Sequence, residues 1–205
     1  MQRRLFVASC AVAASGGFFG GLAAQLATDT PAATIASLQQ GLIAAASERS
    51  SAELAERYRA LEPLVVATHD LPYIAEFALR RQWSSLAAED RQRFVAAFQR
   101  LSVTTYAARF GNVAPDSFRA IEAGAPDANG RVPVTTAIKR EGQSDVSLEY
   151  LLQEGAQGWR IINIVADGVS DLALKRAEYQ RVFANGGIDG LIAELEEQTE
   201  RLEGG

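Results

Sequence analysis

The chain has 205 residues, 48% of them apolar by a wide count and 22% charged, with one Cys, one His and a formal net charge of −5. This is the composition of an ordinary globular domain with an appendage, and a single Cys excludes a disulfide scaffold. With 25 acids against 20 bases, the chain offers no broad basic face for nucleic acid or an anionic membrane.

Residues 1–27 read as a cleaved export signal. Arg3 and Arg4 open it, an uncharged stretch rich in Ala, Gly, Phe and Leu runs from Leu5 to Thr28, and the first acid is Asp29. Small-residue cleavage patterns fall at Gly21-Leu22-Ala23, at Leu22-Ala23-Ala24 and, more weakly, at Ala27, so the mature start is expected near residues 24–28. Arg3-Arg4-Leu5-Phe6-Val7 resembles a twin-arginine signal, with general secretion as the alternative. Val7-Ala8-Ser9-Cys10 resembles a lipobox, but the apolar stretch between Arg4 and Cys10 is too short for one. Cleavage removes the only Cys, so an oxidising compartment is harmless to the mature chain.

The first half of residues 28–205 has helical spacing. Ile35, Leu38, Leu42 and Ala45 draw one apolar stripe over 33–47. Ser50 or Ser51 caps a second helix carrying Leu54, Tyr58, Leu61 and Val65, which Pro63 is expected to end or kink. Asp70 and Pro72 mark the next start, leading through Ile74, Phe77, Ala78 and Arg81 to a break at Ser84-Ser85. A long helix then opens at Leu86 and carries Phe94, Phe98, Leu101 and Thr105 to a stop at Gly111-Asn112.

From Asp116 the period changes to two. The stretches 118–123, 132–139, 146–153 and 159–165 are expected strands, and their short Gly-containing connections imply antiparallel neighbours. Val132, Val134, Thr136 and Ile138 share one face, as do Val146, Leu148, Tyr150 and Leu152. Ser170 caps a further helix ending at Asn185-Gly186-Gly187, and a last helix carries Ile188, Leu191, Ile192, Leu195 and Leu202. The expected fold is a single α+β domain, with N-terminal and C-terminal helices packed on a curved, mostly antiparallel sheet of about four strands.

Catalytic chemistry finds little support. His69 is the only imidazole, no Gly-x-Ser-x-Gly elbow accompanies any Ser, and a zinc site would need more than one His. Gly186-Gly187-Ile188-Asp189-Gly190 lacks the Lys-Ser/Thr of a phosphate loop and reads as a helix stop followed by a start. Asp167 and Asp171 flank a strand-to-helix junction, where carboxylates cap amides. Phe94, Phe98, Tyr106, Tyr150, Trp159, Tyr179 and Phe183 fall on inward stripes, and periodicity does not distinguish a filled core from a cavity there.

Gly158-Trp159-Arg160-Ile161-Ile162-Asn163-Ile164-Val165-Ala166-Asp167-Gly168-Val169-Ser170, followed by Arg176-Ala177-Glu178-Tyr179 and by Gly186-Gly187-Ile188-Asp189-Gly190-Leu191, resembles the MlaC, or toluene-tolerance, family of periplasmic phospholipid-binding proteins. The central helix from Leu86 to Tyr106 extends the likeness to roughly residues 35–197. Asp70-Leu71-Pro72, the segment from Thr104 to Phe110 and the helix from Leu172 to Tyr179 resemble the hopanoid-associated branch of that family.

The resemblance implies a soluble carrier and not an enzyme; no cofactor or metal is expected, and a shuttle has reason to be a monomer. Such a carrier shuttles a phospholipid, or a hopanoid, through the periplasm between an inner-membrane transporter complex and an outer-membrane complex. It also implies an apolar cavity between sheet and helices. By location, the expected lipid-binding positions are Val134, Thr136, Leu148, Tyr150, Ile161 and Asn163 on strands, with Phe98, Leu101 and Val169 outside them. Exposing about 30 methylenes to water costs on the order of 24 kcal/mol, so a soluble carrier must bury nearly all of them. Two alternatives stand beside this reading. One is a cavity enzyme of dehydratase or isomerase type, for which His69 and Asp167 are the only candidate pair; the other is an adaptor that docks a membrane complex and carries nothing.

Overall fold

The structure, a computed structural model, describes residues 26–47 and 54–204. The expected export signal therefore lies outside the described residues except for Leu26 and Ala27, and the cap candidates Ser50 and Ser51 lie outside them too.

Helix α1 (Pro31–Ser47) starts two residues before the apolar stripe predicts. Thr30 Oγ1 accepts from the Ala33 amide at 3.1 Å, and Pro31 takes the first position, where a missing amide costs nothing. Helix α2 (Leu54–Thr68) runs on through Pro63, against the expectation that this proline ends or kinks it. Pro63 is exposed, and the carbonyl left without a donor belongs to the exposed Arg59, so the lost bond falls on the solvent side of the helix. Asp70 caps α3 (Leu71–Leu79), accepting from the Tyr73 amide at 3.1 Å, and the short α4 (Arg81–Ser85) stops at the two serines. The long helix α5 (Ala88–Arg109) ends before the Gly111-Asn112 pair, with Phe110 closing its last turn on the Tyr106 carbonyl.

Five strands follow in spatial order: β1 (Glu122–Ala123), β2 (Val132–Ile138), β3 (Val146–Gly155), β4 (Gly158–Ala166) and β5 (Val169–Ser170). Every pairing is antiparallel. The strand expected over 118–123 contracts to Glu122–Ala123 plus an isolated bridge from Phe118 to Ile138. The other addition, β5, is the two-residue pairing of Val169 and Ser170 with the end of β4. One face of β2 and β3 buries Val132, Val134, Leu148, Tyr150 and Leu152 against α1 and α2. The period-two pattern holds on both strands.

In β4 it breaks. Leu151 pairs with Asn163 while Leu152 pairs with Ile161, so Ile162 is an extra residue and both isoleucines are buried. The free edge of β4 at Ile161 is completed by the end of α2: His69 forms a parallel bridge to Ile161, and the Asp70 amide donates to its carbonyl at 3.0 Å.

Helix α6 (Asp171–Glu203) is capped by Ser170, whose hydroxyl accepts from the Ala173 amide at 3.2 Å. The two helices expected here form one run interrupted at Gly187, whose φ of 62° and ψ of −157° only glycine adopts readily. Gln198 joins the halves by donating to Glu178 at 2.7 Å. Arg93 with Asp189 (2.9 Å) and Arg100 with Glu203 (3.1 Å) tie the second half to α5. A second core lies among α2, α3, α5 and α6, where Tyr179 meets Phe94 and Phe98 edge-on at 5.9 and 6.3 Å.

Candidate functional site

A cavity of about 610 Å³ lies where the two cores meet, within the range of small-molecule sites. Helix α5 supplies Phe98, Leu101, Ser102, Thr105, Tyr106 and Arg109, a stripe at spacings of three and four that turns one helix face to the space. Opposite stand Leu148 and Tyr150 of β3 with Ile162, Asn163, Ile164 and Ala166 of β4. Leu71 and Ile74 of α3 and Leu172, Leu174, Tyr179 and Leu202 of α6 complete the apolar wall.

Polar groups gather at two places. At the rim, Lys175 is held by Asp171 (2.6 Å) and Arg201 by Glu197 (2.6 Å) and Glu194 (3.3 Å). Arg109, exposed in the last turn of α5, has no carboxylate partner among the described residues. Inside, His69 Nε2 lies 2.9 Å from the Tyr106 hydroxyl, and its Nδ1 lies 3.0 Å from Thr68 Oγ1 and 3.1 Å from the Val65 carbonyl. Burial pulls the His69 imidazole down to about 4, so it is neutral at pH 7. Burial also holds the Tyr106, Tyr150 and Tyr179 hydroxyls above their ordinary range.

The family model described as MlaC protein matches residues 36–197. The chain belongs to the MlaC family. Among solved structures, the chain is similar to a phospholipid-binding protein from Ralstonia solanacearum, determined in complex with a phospholipid. The two are 21% identical with a TM-score of 0.70, over 83% of this chain and 97% of the other, a likeness that shows the shared α+β fold. No curated protein matches. No helix among the described residues is long and apolar enough to cross a membrane.

Of the positions that the MlaC resemblance implied, Phe98, Leu101, Leu148, Tyr150 and Asn163 line the cavity. Asn163 also organises its entrance, its Oδ1 accepting from the Ser170 hydroxyl (3.0 Å) and the Leu172 amide (3.3 Å). The other four positions lie outside the lining. Val134 is fully buried in the core beneath α1, and Thr136 beside it donates to the Arg119 carbonyl (2.8 Å) and accepts from Gln39 (3.3 Å). Ile161 faces that same core because the bulge at Ile162 breaks the alternation that would set it beside Asn163. Val169 is 52% exposed in β5.

The pair His69 and Asp167, on which an enzymatic reading depends, is not formed. Asp167 is exposed, and its carboxylate accepts from the Ser147 amide at 2.9 Å. The imidazole instead meets Tyr106. Residue spacing puts Thr105 on the stripe of α5 and Asp171 at a helix start, but it does not mark the polar lining of Ser102, Arg109, Lys175 and Glu178; extending the stripe one turn past Thr105 would have reached Arg109.

Proposed function

We propose that the mature chain is a monomeric lipid carrier of the periplasm. It holds the acyl chains of a phospholipid in the cavity and moves the lipid between an inner-membrane transporter complex and an outer-membrane complex. The observation that carries this reading is the wall itself: an apolar surface on β3, β4, α3, α5 and α6 around about 610 Å³, with charges confined to its rim. Such a division suits an amphiphile, since chains gain about 0.8 kcal/mol per buried methylene while a phosphate is costly to desolvate. Arg109 at the rim supports an anionic headgroup there. Membership of the MlaC family and the likeness to a phospholipid-binding protein support the same reading. Residues 1–27, read as a cleaved signal, support export.

Transfer breaks no covalent bond, so the reading calls for no cofactor. The test is mass spectrometry of the mature protein purified from the periplasm without detergent, native and after solvent extraction. About one lipid per chain is expected, and its mass names the cargo, a hopanoid included. A lipid-free chain that stays so after incubation with vesicles would turn the reading to an adaptor or an enzyme.

A further inference from the structure

We propose that the Tyr150 hydroxyl binds an ester carbonyl of the lipid and so fixes how deep the lipid sits, an inference that rests on the carrier reading. The neighbours of His69 fix where its proton sits. The Thr68 hydroxyl donates to the Leu64 carbonyl at 2.8 Å, and the Val65 carbonyl beside Nδ1 only accepts, so Nδ1 carries the hydrogen. Nε2 is then a bare acceptor, and the Tyr106 hydroxyl donates to it. Toward the cavity Tyr106 is left with lone pairs alone.

Tyr150 is the complementary case. Its residue is 4% exposed, it lines the cavity, and its hydroxyl makes no hydrogen bond with any described residue. The Tyr106 hydroxyl, whose lone pairs could accept it, is not bonded to it. That hydroxyl is open to the cavity and not sealed in the core, so the contents of the cavity satisfy it. Tyr179, 1% exposed and lining the same space, offers a second free donor.

The group these donors meet is neutral. His69 is uncharged, Lys175 and Arg201 are already neutralised by carboxylates, and the unpaired Arg109 is exposed at the rim, so a phosphate finds its counter-charge there and not beside the buried Tyr150. A diacyl lipid brings two carbonyl acceptors and no donor at its linkage, which matches tyrosines that have protons to give. The ester linkage then lies inside the cavity and the phosphate outside it.

The experiment loads the delipidated mature protein with equal amounts of a diester phosphatidylglycerol and its diether analogue of the same chain length, and reads the bound ratio by native mass spectrometry. The wild-type protein is expected to favour the diester about five- to tenfold, the effect of one ordinary hydrogen bond. Tyr150→Phe, which removes only that hydroxyl, is expected to lose most of this preference, and Tyr150→Phe with Tyr179→Phe all of it. In infrared spectra of a ¹³C-carbonyl diester, the ester band is expected to shift down on binding to wild type and to move back in Tyr150→Phe. Equal binding of the two lipids by wild type, as when water satisfies Tyr150, overturns the proposal and leaves the carrier standing. A preference undiminished in Tyr150→Phe overturns it as well. A wild-type protein that binds neither lipid overturns the carrier reading along with it.

Discussion

His69 Nε2 and the Tyr106 hydroxyl, 2.9 Å apart, join the strand-like end of α2 to the middle of the cavity wall on α5. With the Tyr106 hydroxyl as donor the bond needs a bare Nε2, and the folded protein keeps the imidazole neutral down to about pH 4. In the unfolded chain the same group takes up a proton near its ordinary value of 6.5. Between those values the unfolded state binds more protons, so stability is full above pH 6.5 and falls as the pH drops toward 4, by up to about 3 kcal/mol. Urea midpoints from pH 7.5 to 4.5 should show this fall in wild type and a shallower one in His69→Gln. Parallel curves would mean that His69 is not the titrating group.

Gly158 has a φ of 89°, and a Cβ there would sit 2.5 Å from the Thr28 carbonyl oxygen, which accepts from the Trp159 amide at 2.7 Å. Gly158→Ala must strain the turn and push the N-terminal segment off the β3–β4 hairpin. A loss of about 1–3 kcal/mol is expected in chemical denaturation. An unchanged midpoint would contradict the close approach of Thr28.

Under the proposed export reading, the same segment bears on where cleavage falls. The Ala27 carbonyl accepts from the Ser37 hydroxyl at 3.0 Å, and Thr28 Oγ1 donates to the Gln157 carbonyl at 3.3 Å. Cleavage after Ala23 or Ala24 keeps both contacts, whereas cleavage after Ala27 removes the first. The intact mass of the exported protein should therefore give Ala24 or Gln25 as the first residue. A chain trimmed to start at Thr28 should lose about 1 kcal/mol.

Leu101 and Leu148 face each other across the cavity from α5 and β3, each 7% exposed. A charge on either wall has no partner there, so Leu101→Glu or Leu148→Lys should abolish lipid retention in native mass spectra. Because either variant can also weaken the fold, Ala166→Trp offers an uncharged way to fill the space from β4. A folded variant of any of the three that still carries a full complement of lipid would place the binding site elsewhere.

The stripe on α1, the Asp70 cap, the Ser170 cap and the alternation in β2 and β3 were legible because each rests on a local rule. The sequence misled where a second element decided the outcome. Val134 and Thr136 share a face with the cavity wall, yet α1 covers them, and nothing in the period of a strand says which helix lies above which residue. Ile161 and Asn163 are two apart and should point alike; the bulge between them sends one into the core and the other to the entrance. Pro63 reads as a helix breaker only if its carbonyl partner is buried. The rim charges went unmarked because most are paired within α6 and stand at ordinary surface spacings.

The cavity occupies a seam. Leu71, Ile74, Phe98, Leu101 and Tyr179 on one side belong to the helical core, and Leu148 and Tyr150 on the other belong to the core under the sheet. Whatever fills the space touches both at once and serves as a shared wall between them. Release of a bound lipid is then also an event in the folding of the protein: the departing molecule takes part of the interior with it, and the empty chain that remains is the less stable of the two forms.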